Sequence, residues 1–179
     1  AQRLRERFGK LFDEEVEAHA RKAADPDVEI PAPDGDYPVR KRYPDELRPA
    51  QIEVAKLLYG IYGVERGDIE GRNRVNRRNV TAFDAPVMGF VFVHEEMLPW
   101  SAMDAGLMLQ TLFLSAKSRG IDSCPVGILA TWRAPVDEEF EIPEGYKFIT
   151  GFALGYADPD APINSMQAPR PPIQLLEGK

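Results

Sequence analysis

The chain has one cysteine, Cys124, in 179 residues, so no intrachain disulfide can form, which suits a reducing, cytoplasmic setting. Histidine is nearly as scarce. His19 and His94 stand apart, with no HExxH and no paired cysteines, and a zinc-type ligand set lacks support. No GxGxxG is present, so a Rossmann fingerprint is missing too. No apolar run is long enough to cross a bilayer, and the charged N-terminal stretch has no signal-peptide core. Basic residues are outnumbered 22 to 29, giving a formal net charge of −7. That balance argues against a general nucleic-acid binder. Internal repeats and low-complexity segments are absent.

What is present is an alternation of periodic segments, with 44% hydrophobic residues, enough for one globular domain over 1–179. Leu4, Phe8, Leu11, Phe12, Val16 and Ala20 predict an amphipathic helix over 1–24. Residues 25–46 hold five of the sixteen prolines and predict a loop running over the surface. Ile52, Ala55, Leu58, Tyr59 and Tyr62 make the stripe of a helix over 48–62, with Pro49 in its first turn and Gly63 as its stop. A charged helix follows over 68–78. Pro86 to Val93 is a continuous apolar run, the pattern of a strand covered on both faces. Ser101 and Asp104 predict a capping box opening a helix to Arg119. Because that helix is apolar nearly all round, it belongs in a core or between subunits. Cys124 to Ala130 reads as a short strand or turn, Pro135 to Phe140 as a short acidic helix, and 147–156 as a strand. The class is α+β.

The last strand has an uneven pair of faces. Simple alternation puts Phe148, Phe152, Leu154 and Tyr156 on one side and Ile149, Gly151, Ala153 and Gly155 on the other. The second side is nearly bare and needs a helix, a backbone or a planar ligand close against it. Beyond it, residues 157–179 predict an extended, proline-stiffened arm carrying Arg170, whose guanidinium is a fork suited to phosphate; a solvated surface arginine is the plainer alternative. In the turn Cys124-Pro-Val-Gly127, glycine lets a backbone N–H approach a ligand closely, or the turn simply enters a strand. Cys124 itself reads as a small buried hydrophobe. The basic run Arg72 to Arg78 meets either an anion or nearby acids, the latter being commoner. Asp137, Glu138, Glu139 and Glu141 read as a solvated helix face. Trp100 and Trp132 wall a pocket or, more commonly, pack.

Three segments together resemble the FMN-dependent nitroreductase family. They are Asn79-Val-Thr-Ala-Phe-Asp-Ala-Pro86 before an apolar strand; Asp104-Ala-Gly106 through Gln110, Leu114-Ser-Ala116 and Gly120-Ile-Asp-Ser-Cys-Pro125; and Gly151-Phe-Ala-Leu-Gly-Tyr-Ala-Asp-Pro-Asp-Ala-Pro-Ile-Asn164 on to Arg170. Their order and spacing match from Asn79 to Arg170. The resemblance implies a central mixed or antiparallel sheet flanked by helices, in an intertwined homodimer with two flavin sites at the interface. It implies FMN as cofactor and NAD(P)H as co-substrate, with electrons passed in ping-pong order to a nitroaromatic, quinone or similar acceptor. Pro125, Val126 and Gly127 would lie against the flavin ring and Arg170 would bind its phosphate; no catalytic side chain and no metal ligand is implied. One departure is that many relatives carry a second basic residue just before the arginine, where this chain has Gln167 and Ala168. Relatives also begin with Arg-Arg-Ser-x-Arg and Pro-Ser-x-x-Asn-x-Gln-Pro-Trp segments that are not found here, so the expectation is an N-terminally truncated copy. Two alternatives stay open: a flavin-fragmenting or dehalogenating relative, and a non-catalytic dimerisation or binding module.

Overall fold

The computed structural model describes residues 1–170 and 172; of the expected arm, 171 and 173–179 lie outside the described residues. Three antiparallel strands form the centre: β1 (Val87–His94), β2 (Asp122–Val126) and β3 (Tyr146–Gly155), in the order β1-β3-β2. Helix α1 (Gln2–Ala24) lies on one face of the sheet and α4 (Trp100–Lys117) on the other. The remaining helices are α2 (Arg48–Ile61), α3 (Ile69–Val80) and the short α5 (Ala134–Asp137).

Helix boundaries follow local chemistry. Asp68 caps α3, its Oδ1 accepting from Gly71 N at 2.7 Å. Gly63 leaves α2 at φ +64, a conformation that costs glycine nothing. The expected capping box of α4 is not formed. The helix starts two residues earlier, at Trp100 with Pro99 as its N-cap, and no side chain caps it. The predicted stripe of α1 holds through Leu4, Phe8 and Phe12, which are buried, but Ala20 is exposed and Ala18 is buried instead. No residue of α2 is buried, so its stripe is only half covered.

The main core joins Leu4, Phe8 and Phe12 of α1 to Val126, Leu129 and Phe148. Phe148 is fully buried, with the rings of Phe92 and Phe90 at 5.1 and 5.7 Å. Burying a ring of that size stabilises by roughly 1.5–3 kcal/mol.

The faces of β3 differ from simple alternation, and a bulge is the reason. Val91 pairs with Thr150 and Phe92 with Phe148, leaving Ile149 without a partner. One extra residue reverses the phase of everything after it. Phe148 therefore shares the α1 face with Gly151 and Ala153, while Phe152 faces α4 and meets Phe113 at 5.9 Å. The bare side is closed by protein. A Cβ on Gly151 would run into Leu129, and one on Gly155 would meet Pro86 at 2.8 Å.

Helix α4 is not enclosed by the described residues of its own chain. Leu109 and Ala116 are buried, yet Trp100 is 68% exposed, Leu107 63% and Leu114 62%. The core alternative for this helix is thus overturned, and a row of large apolar side chains faces outward.

Candidate functional site

The loop over 25–46 runs over the surface, as expected, and is tied to the body of the protein through residues 34–36. Asp34 Oδ1 accepts from Arg133 N and Oδ2 from Ala134 N, both at 2.8 Å, so a distant carboxylate satisfies the free amides opening α5. Gly35 N donates to the Thr131 carbonyl at 3.1 Å. A Cβ at Gly35 would collide with the Ala130 carbonyl oxygen, so only glycine fits. Asp36 Oδ2 accepts from Arg133 Nη1 and from Phe148 N, both at 2.7 Å, with Lys147 Nζ 3.8 Å from Oδ1. Arg133 also reaches Asp137 and the Tyr146 carbonyl at 2.8 Å, and its guanidinium lies 5.6 Å over the Phe92 ring.

Those three anchors fix the residues that follow. Tyr37, Pro38 and Val39 form one wall of a cleft of about 360 Å³, completed by Leu98, Gly127 and Ile149. The bulge that frees Ile149 from its partner strand thus places it in this cleft, a use of bulges common beside functional sites. Gly127 opens the 3-10 turn Gly127–Thr131, so its N–H has no partner within that turn. A Cβ there would meet only Thr150 Oγ1, at 4.0 Å. The backbone at this point is open to anything flat in the cleft.

Of the turn residues singled out in the sequence, Gly127 alone lines the cleft. Val126 is buried in the core and Pro125 is exposed. Arg170 is exposed on the arm and is not among the cleft's lining residues. The structure therefore brings Gly127 together with Ile149 and Tyr37, and does not bring Arg170 to them. Cys124 is half-buried, and burial pushes its thiol pKa up, which keeps it protonated and unreactive.

A second cavity, of about 370 Å³, lies between α1 and α3 and shares no lining residue with the first. Its polar wall comes from Glu15, His19, Arg40, Asn73, Asn76 and Asn79. Arg40 binds Glu15 and lies 5.4 Å over the Trp132 ring. Glu15 Oε2 is buried without a partner among the described residues.

The remaining candidates are absorbed by structure. Arg77 grips Asp13 through two nitrogens at 2.9 Å, and Arg78 lies 5.8 Å over Tyr62. The acidic residues at α5 are not merely solvated, as expected. Arg3 pairs with Glu139 at 2.6 Å and Arg7 with Glu138 at 2.8 Å, tying α5 to α1. The Arg7 hydrogen bond holds the Glu138 carboxyl below its usual range. Trp132 packs in the core, whereas Trp100 is exposed.

The cleft fits the ring half of a flavin. Its walls are apolar side chains, and Gly127 leaves backbone bare beside open space. Arg170, the candidate for the phosphate half, stands apart from the cleft.

Comparison with known proteins identifies the family. The family described as "Nitroreductase family" matches residues 1–156. The chain belongs to the nitroreductase family. Among nitroreductases it is 36% identical to a 4-nitrobenzoate reductase of Pseudomonas putida, over 71% of this chain and 58% of that protein. It is 32% identical to a chloronitrobenzene nitroreductase of Comamonas testosteroni, over 82% of this chain and 65% of that one. The chain thus spans less than two thirds of the length of these two relatives. The fold matches that of an FMN- and NADPH-dependent nitroreductase, NfnB, from Sphigopyxis sp. strain HMH, with a TM-score of 0.76 and 28% identity, covering 97% of this chain and 77% of the other. The nitroreductase-like α+β fold expected from the sequence is therefore the one observed.

What the sequence did not reveal is the role of residues 34–39. Two carboxylates flanking a glycine, followed by Tyr-Pro, were the available signal. Their partners lie about a hundred residues away, beyond the reach of local pattern.

Proposed function

We propose that this chain is the flavin-bearing part of an FMN-dependent NAD(P)H oxidoreductase that reduces nitroaromatics, quinones or similar acceptors. The observation that carries the reading is the apolar cleft with bare Gly127 backbone, in a family whose similar members are named for nitrobenzoate and chloronitrobenzene reduction. Bound FMN supplies the hydride-accepting and electron-donating chemistry. The chain's residues bind and orient. Gly127 offers its N–H to the ring edge, Val126 holds that turn in the core, and Pro125 continues the same surface. Ile149 and Leu98 exclude water from the ring. Arg170 is the phosphate ligand, its arm leading from β3 past α2, against which the turn Pro162–Ser165 lies.

The outward apolar row of α4 supports a homodimer, since large exposed apolar patches mark interaction surfaces. A single cysteine in the sequence supports a cytoplasmic setting. A second reading, a non-catalytic dimerisation or binding module, is favoured by one observation: the separation of Arg170 from the cleft. A flavin-fragmenting or dehalogenating reaction remains a variant of the first reading, distinguished by product identity.

The visible spectrum of the purified protein after incubation with FMN tests the proposal. The expected result is a flavin band retained through gel filtration, NADPH oxidation dependent on 4-nitrobenzoate, and a dimer by sedimentation. A dimer that takes up no FMN would establish the binding-module reading instead.

A further inference from the structure

We infer that Tyr37 orients the electron acceptor, its hydroxyl donating a hydrogen bond to an oxygen of the reducible nitro or quinone group. This rests on the reading of the cleft as the place where acceptor meets flavin. Six residues line that cleft. Pro38, Val39, Leu98, Gly127 and Ile149 carry no polar side-chain atom, so Tyr37 is the one lining residue with a hydrogen-bonding side chain. The loop's anchoring bonds come from Asp34, Gly35 and Asp36. Among the described residues none uses Tyr37 Oη. Tyr37 as a residue is 38% exposed. A phenol can donate, whereas nitro and quinone oxygens only accept, and the two chemistries match.

Position supports the same role. Tyr37 follows three consecutive anchored residues and precedes Pro38, whose φ is fixed by its ring. The Tyr37 backbone is therefore held on both sides, and a donor held in place before the ligand arrives loses little on binding it. A single polar group in an apolar cleft also chooses among flat molecules. An arene with an oxygen acceptor at the right edge gains a bond, and a plain hydrocarbon does not.

Tyr37→Phe keeps the ring and removes the oxygen. In the FMN-loaded protein, kcat/KM for nitrobenzene and for 1,4-benzoquinone should fall about five- to tenfold relative to that for ferricyanide, a neutral hydrogen bond's worth. Ferricyanide takes electrons without needing that bond. A second readout needs no turnover. The Kd of nitrobenzene, from its perturbation of the oxidised flavin band, should weaken by the same factor, while FMN affinity reports whether the flavin site is intact. Equal Kd and equal kcat/KM in Tyr37→Phe and the parent, with FMN bound, would overturn the Tyr37 role and leave the flavin reading standing. Parallel losses on nitrobenzene and ferricyanide would overturn it as well, marking a general disturbance of the site. A protein that takes up no FMN would overturn both.

Discussion

Replacing Asp36 by alanine should destabilise the protein by about 3 kcal/mol. The Asp36 side chain is only 11% exposed and that of Arg133 only 20%. Its Oδ2 receives two bonds of 2.7 Å, one from Arg133 and one from the amide of the fully buried Phe148. Hydrogen bonds to a charged group contribute roughly 1.5–3 kcal/mol each, and removing one partner of a buried pair costs roughly 3–5 kcal/mol. Arg133 keeps Asp137 and the Tyr146 carbonyl, which places the expected cost at the low end of that range. The Phe148 amide has no such substitute. Asp36→Asn keeps an acceptor for that amide and loses only the charge, so its cost should be about 1–1.5 kcal/mol. Urea denaturation followed by circular dichroism gives both values from the shift in midpoint at constant m. For a chain of this size the alanine variant should also melt roughly 6–12 °C lower. A loss below about 1 kcal/mol for Asp36→Ala, or equal losses for the two variants, would refute the claim that this carboxylate anchors the loop to the sheet.

Three further outcomes are expected. Gly35→Ala places a methyl group against the Ala130 carbonyl oxygen; overpacking against backbone should cost about 1–3 kcal/mol, and limited proteolysis should cut residues 25–47 faster. Gly127→Val should abolish FMN uptake while leaving the melting temperature of the flavin-free protein nearly unchanged, because the new side chain enters the cleft rather than the core; a large drop in that temperature would show that Gly127 serves packing instead. Arg7 lowers the pKa of Glu138, and Lys117 with the Ala157 amide lowers that of Asp122. Carboxyls with depressed folded-state pKa values stabilise fully above their unfolded values near 4 and lose that contribution as pH falls through the lower folded ones. Stability should therefore drop on acidification below about pH 4, and Glu138→Gln should flatten that drop; an unchanged acid limb in urea titrations at successive pH values would count against the α1–α5 pairing.

Much of the fold was legible because it is written locally. Helices α1 and α2 follow from apolar spacing within a few residues, α3 from a charged run, the stop of α2 from Gly63, and β1 and β3 from runs of apolar and β-branched side chains. The family was legible because its three segments keep their order from Asn79 to Arg170. Other features depend on contacts between residues far apart, to which a period of 2.0 or 3.6 is blind. The bulge at Ile149 arises only when β3 meets β1, and it moved Phe152 to the opposite face from Phe148. The open side of α4 shows only once the sheet has covered what it can. The loop at 34–36 docks because Arg133 and the Phe148 amide are waiting for its carboxylates, and that docking places Tyr37 beside Gly127. The sequence by itself determined which segments are helix or strand and to which family they belong. The tertiary structure decided which face each residue takes and which residues meet at the cleft, because those depend on long-range burial and hydrogen-bond satisfaction.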